Sequence, residues 1–196
     1  MKVLHTTLLV SNEFSNYQIK SIHITFFSAV LLRLNHIPMH GKSLFTLGLM
    51  AGFAFFGKNI YTMWPIIFGS FVLSKVCKEN FSKNVISGLL ATSLGPLVGV
   101  AYLHNGITLY GCLWALGIGI IIGFLVPLLT AHTNVILRGL NLYNGGFAVG
   151  LIALILVPIM ENFGFVFETD TYWATGYNTR FAIFLYLTAL IFIISG

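Results

Sequence analysis

The chain has 196 residues, of which 57% are hydrophobic and only 8% charged, with ten Lys and Arg against five Asp and Glu and a formal charge of +5. A soluble domain of this length would carry roughly 50 ionised side chains to face water, so a water-soluble globular particle is excluded. The basic residues stand beside apolar segments, which fits orientation in a lipid bilayer and sets nucleic acid aside as a partner.

Residues 1–10 are mildly apolar and residues 11–20 polar, without the long apolar run and small-residue cleavage site of a signal peptide. Residues 22–34 form a weak apolar segment. Residues 43–56 are apolar but short. Gly57, Lys58 and Asn59 interrupt, and residues 60–76 follow with Pro65 inside. Residues 85–103 make a fair span carrying Pro96, and residues 109–130 are the strongest full-length span. Residues 145–160 are again short, and residues 181–195 are apolar with no anchoring charge after them. A membrane helix needs about 20 residues. These lengths predict an all-α fold, a polytopic transmembrane helical bundle with short, broken or re-entrant helices. Residues 31–196 are expected to form the transmembrane helical domain, residues 1–30 are a poorly matching N-terminal segment, and the short final segment is expected of a fragment of a longer protein.

Lys75, Lys78 and Lys83 flank one break, and His132 and Arg138 another. The positive-inside rule places both in the cytoplasm. Residues 85–103 then run outward, 109–130 inward and 145–160 outward, towards a loop holding Glu161, Glu168 and Asp170. Arg33 and Lys42 make the loop before residue 43 cytoplasmic as well. Segments 43–56 and 60–76 must then leave the cytoplasm and return. About 14 helical residues rise only ~21 Å against a ~30 Å hydrocarbon core. That favours a re-entrant pair turning at Lys58 and Asn59, over two thin spans. Irregular backbone at such depth survives only where protein or a wet cavity surrounds it, and transporters use such breaks to bind polar solutes. A lysine there marks function; the plainer alternative is that Lys58 snorkels to an outer surface marked by Tyr61 and Trp64.

Four apolar segments carry glycines four apart: Gly48/Gly52, Gly95/Gly99, Gly119/Gly123 and Gly146/Gly150. Small residues at this spacing let helices approach closely, and four occurrences predict a compact bundle. Thr92 and Ser93, just before Pro96, are expected to satisfy backbone groups in a kinked helix. The stretch from Arg138 to Gly150 places Asn141, Tyr143 and Asn144 beside Gly145 and Gly146, where an apolar segment begins. Asn144 reads as an N-cap whose following amides face a polar site, or as an ordinary helix entry at the membrane surface. Cys77 and Cys112 form no CxxC pair and read as small buried residues. No cofactor and no metal site is implied.

Two stretches carry a resemblance, residues 52–69 (GFAFFGKNIYTMWPIIFG) and 139–152 (GLNLYNGGFAVGLI). They resemble the bacterial membrane family catalogued as domain of unknown function 1576 (DUF1576). The likeness runs from about Leu31 to about Arg180, including WATGYN at 173–178. Members of that family resemble each other over roughly twice this length, which again implies a fragment. A more distant similarity is to urea transporters, through Gly139, Leu140, Asn141, Tyr143, Asn144, Ala148 and Gly150. It implies that Tyr143 and Asn144 lie near a half-helix beside a pore. Leu142 stands where that motif has glycine, and the LPxP-type pore signature is missing.

No HExxH, Walker A or GxSxG stretch points to an enzyme. The expectation is a non-enzymatic integral protein of a bacterial plasma membrane, multi-pass, acting as a permease or channel for a small polar solute. The candidate pore residues are Lys58, Asn59, Asn141, Tyr143, Asn144, Gly145 and Gly146. The alternatives are a non-transporting accessory or structural subunit and, without motif support, an intramembrane enzyme. Its partners are the lipid bilayer and the solute, and a homo-oligomer is open.

Overall fold

The computed structural model describes residues 19–54, 58–104, 108–136, 141–167 and 178–195; the side chains of 134–136 and 141–144, and several in 178–195, fall outside that description. Every regular element among the described residues is helical. The helices are α1 (residues 19–34), α2 (Gly41–Ala54), α3 (Ile60–Val76), α4 (Val85–Ala91), α5 (Gly95–His104), α6 (Leu109–Ile136), α7 (Asn141–Asn162) and α8 (Asn178–Ser195). The chain divides into two compact units, residues 1–166 and 167–196, and the second holds α8 alone.

Among the described residues, three stretches are long and apolar enough to cross a membrane: Val85–His104, Leu109–Thr133 and Gly145–Asn162. The first is a broken helix. Pro96 has no N–H to offer the Thr92 carbonyl four residues back. The Gly95 N–H bonds that carbonyl instead, and a single 3₁₀ turn at Thr92–Leu94 separates α4 from α5. Large apolar side chains stay exposed on the outer faces, among them Leu44, Phe68, Leu113 and Leu154. In water that would be a liability; against lipid tails it costs nothing.

The bundle is tightest where α3 lies on α6. A Cβ on Gly123 would fall 1.8 Å from the Ile66 carbonyl oxygen, and one on Gly119 2.4 Å from the Pro65 Cβ. From the other side, a Cβ on Gly69 would fall 2.4 Å from the Ile120 carbonyl oxygen. Only glycine allows the two backbones to come this close. Pro127 in α6 leaves the Gly123 carbonyl without its helical donor. Ser70 of α3 supplies one, its Oγ donating to Gly123 O at 2.9 Å. Gly88 of α4 packs on the same serine, so three helices meet there.

The glycine pairs do not all behave alike. Gly119/Gly123 close on α3, and Gly95/Gly99 face Thr62 of α3. Gly48/Gly52 of α2 and Gly146/Gly150 of α7 have nothing within 4 Å of where a Cβ would stand. They open outward instead of joining helices of this chain.

A ring cluster fixes one end of the bundle. The His104 ring lies 4.4 Å from Phe165, and Trp114 packs on Phe163 and Phe165 at 5.5 and 5.6 Å. The end of α5, the start of α6 and the end of α7 therefore share one side, as an alternating path requires. Cys77, expected to be buried, is exposed, because the chain leaves the bundle there as the C-cap of α3.

Candidate functional site

The break between α2 and α3 holds the most unusual side chain of the described set. Lys58 is 1% exposed and is the largest fully buried side chain. Its Nζ lies 2.7 Å from the Met50 Sδ and 5.7 Å from the centre of the Phe53 ring, both on α2. Its stem packs towards Gly95, where a Cβ would fall 3.8 Å from the Lys58 Cγ. Thr92 closes the other side: its Oγ1 is 3.6 Å from the same Met50 sulfur and donates to Leu89 O. A buried ammonium is costly unless paired. Among the described residues no carboxylate meets it; Glu79 is paired with Lys83 on the surface.

Thr92–Gly95 stand at the middle of the 20-residue span Val85–His104, about 15 Å from either end at the helical rise. Lys58 lies against that middle. Its side chain is buried, whereas Tyr61 and Trp64 in the first turn or so of α3 are exposed, as an interfacial belt would need. Two helix breaks thus face each other, the α2–α3 junction and the 3₁₀ turn between α4 and α5.

Asn59 anchors the junction. It caps α3 in a reciprocal box with Thr62: Thr62 N donates to Asn59 Oδ1 at 3.0 Å, and Asn59 N to Thr62 Oγ1 at 3.4 Å. Thr62 Oγ1 also donates to Asn59 O. This hydrogen bonding makes a helix start self-sufficient away from bulk water. Asn59, Tyr61 and Thr62 line a cleft of about 330 Å³ with Gly99, Tyr102 and Leu103 of α5.

A second cleft, of about 370 Å³, lies between α2, the α4–α5 break and α7. Phe45, Leu49 and Phe53 wall it on one side, Leu90 and Ser93 on another, and Gly145, Gly146 and Phe147 on the third. Gly145 packs tightly on Leu90, where a Cβ would fall 2.7 Å from its Cδ1. Gly145 and Gly146 therefore share a cleft with Phe53, whose ring faces Lys58. Asn144 is not an N-cap: α7 starts at Asn141, and Asn144 is already inside the first turn. Asparagine suits either position, and the earlier one wins. The side chains of Asn141, Tyr143 and Asn144 lie outside the described residues. His132 is exposed.

Sequence reasoning missed Met50, Phe53 and Thr92 as neighbours of Lys58. Met50 and Phe53 carry no polar signature. Thr92 had one signal, its place just before Pro96.

No curated protein and no solved structure matches the chain. One family does, over residues 3–162, which takes in most of the first thirty residues and ends before the WATGYN stretch. Residues 19–34 are accordingly part of the packed helices, with Ile24 and Leu32 in the buried core beside Met50 and Met63. The chain belongs to the family described as Protein of unknown function (DUF1576).

Proposed function

We propose that the protein is a permease or channel for a small polar solute in the plasma membrane of a bacterium, crossing the bilayer several times. One observation carries the reading: a fully buried lysine stands where two helix breaks face each other, opposite the middle of a membrane-length span. Broken helices at that depth put polar groups where a continuous helix would hide them. A bundle built only for packing gains nothing from an ammonium in its interior, and the residue remains there at a cost. On this reading α2 and α3 form a re-entrant pair, and the clefts beside Asn59 and Gly146 are parts of the solute's route.

A second reading, a non-transporting accessory or structural subunit, is favoured by the outward-facing glycine pairs on α2 and α7. Such grooves suit a partner helix or a second copy of the chain.

Flux into proteoliposomes separates the two. The transport reading expects uptake of at least one solute from a panel of small neutral and charged compounds, reduced tenfold or more by Lys58→Leu, with Asn144→Leu reporting on the α7 entrance. No uptake of any solute by well-folded protein favours the accessory reading.

A further inference from the structure

We infer that the end of α3 binds an anionic phospholipid, with Lys75 and Lys78 holding its phosphate and the exposed aromatic face of α3 seating an acyl chain. This site is independent of the transport reading. α3 runs antiparallel to α4: Ser70 packs on Gly88, and Asn84 Nδ2 donates to the Ser74 Oγ at 2.9 Å. The end of α3 is therefore level with Val85, where a membrane-length span begins. Lipid headgroups lie at that depth.

α3 finishes in a Schellman motif. The Lys78 N–H donates to Lys75 O at 3.2 Å and the Glu79 N–H to Ser74 O at 2.9 Å, with Lys78 left-handed at φ 55°. Glycine adopts this conformation freely, whereas a lysine there is strained by its Cβ. α7 ends in the same pair of bonds, Gly164 to Glu161 O and Phe165 to Met160 O, and there the left-handed residue is a glycine, at φ 85°. That end of α7 lies with the ring cluster, across the bundle from the end of α3. His36 takes the left-handed conformation after α1, but histidine enters it more readily than lysine. At the end of α3 the chain thus keeps an exposed ammonium at a position whose backbone favours glycine.

An apolar face leads up to that ammonium. Trp64, Phe68, Phe71 and Lys75 follow one another at three or four residues along α3, so they share one stripe, and all are exposed. The Phe68 and Phe71 rings stack 6.5 Å apart, and the Lys75 Nζ stands 5.3 Å from the centre of Phe71. Acyl chains fit the aromatic part of the stripe. Charge complementarity selects the headgroup: two ammonium groups suit a phosphodiester with a net negative charge, and a zwitterionic headgroup brings a cation of its own. Lys83 in the same loop is paired with Glu79 at 3.2 Å, so the phosphate is assigned to the other two lysines.

The test uses the purified 196-residue chain in detergent, titrated with dioleoyl phosphatidylglycerol, with dioleoyl phosphatidylcholine, or with inorganic phosphate at the same ionic strength. The expected result is a saturable rise in the thermal midpoint with phosphatidylglycerol alone. In Lys75→Gln/Lys78→Gln the amount needed for half the rise increases about tenfold or more, while Arg33→Gln, a change of an exposed cation on α1, shifts it less than about twofold. Lys78→Gly separates charge from fold: it should raise the midpoint in the absence of lipid, because the strain is relieved, and weaken the phosphatidylglycerol response. Equal responses to the two lipids overturn the inference, as does an unchanged response in the double variant. A rise with inorganic phosphate as large as that with phosphatidylglycerol overturns the assignment to a lipid. A loss in Arg33→Gln as large as in the double variant means that the whole basic end attracts anions, and overturns the site at α3.

Discussion

Halfway along α3, at Gly69 and Ser70, the helix lies backbone to backbone on α6. At its start α3 is preceded by Lys58, a fully buried lysine whose Nζ meets the Met50 sulfur. At the crossing the carbonyl that Pro127 frees is bonded by Ser70. At the junction the Asn59–Thr62 box caps α3, and the buried Lys58 meets no carboxylate among the described residues. Close packing and polar satisfaction stabilise the first region. The second gives up stability for a group that has no structural use. The contrast teaches where a bundle of this composition is scaffold and where it is equipped to bind.

Substitutions should split along that line. The largest effect is expected from Gly123→Leu, because a Cβ there already overlaps the Ile66 carbonyl and no small shift relieves it. Overpacking of this kind costs about 3 kcal/mol or more, and loss of a monodisperse peak in detergent reports it. Lys58→Met should act in the opposite direction. Replacing a buried lysine that meets no described carboxylate by an apolar side chain of similar length raises stability by about 1–3 kcal/mol, read as a higher thermal midpoint. A lower midpoint would mean that the ammonium is structural, and the contrast would collapse.

Ser70→Ala leaves the Gly123 carbonyl unbonded in the interior and should cost about 1–2 kcal/mol, measured by thermal unfolding. Asn59→Ala removes the cap of α3 and should cost about 1 kcal/mol; helical content by circular dichroism should change little, since one turn frays at most. The smallest effect belongs to Gly52→Ala and Gly146→Ala, which meet open space and should stay within about 0.5 kcal/mol. A clear loss of oligomer in either, by light scattering, would identify that face as a contact between copies.

Much of the scaffold was legible in the sequence. The bounds of α3 and the beginning of the strongest span, α6, follow from where polar residues interrupt apolar runs, and the break at Lys58 and Asn59 from the same signal. The closed and open glycine pairs were not distinguishable. These helices are apolar on nearly every face, so the pattern does not say which face turns inward. Only the packing shows that Gly119/Gly123 meet α3 and Gly48/Gly52 do not. Pro96 signalled a distortion but not its form, because whether a proline kinks a helix or inserts a 3₁₀ turn depends on which donor reaches the freed carbonyl. Here the donor is the Gly95 N–H. Asn144 misled because Asn141 caps or starts a helix equally well. At the candidate site the lysine was legible and its surroundings were not, since a methionine and a phenylalanine in an apolar helix look like any others.

The central claim is that Lys58 lies within the membrane at the level of the α4–α5 break. Modification of a single cysteine by a bulky, membrane-impermeant polyethylene-glycol maleimide, applied to intact and to permeabilised vesicles, tests it most directly. Cysteine replaces Lys58 in one variant and the exposed Glu161 in another, with Cys77 and Cys112 changed to alanine. A reagent too large for a pore should modify position 161 and leave position 58 untouched from both sides until the protein is denatured. Modification of position 58 at the rate of position 161 would put the break at the surface and contradict the account.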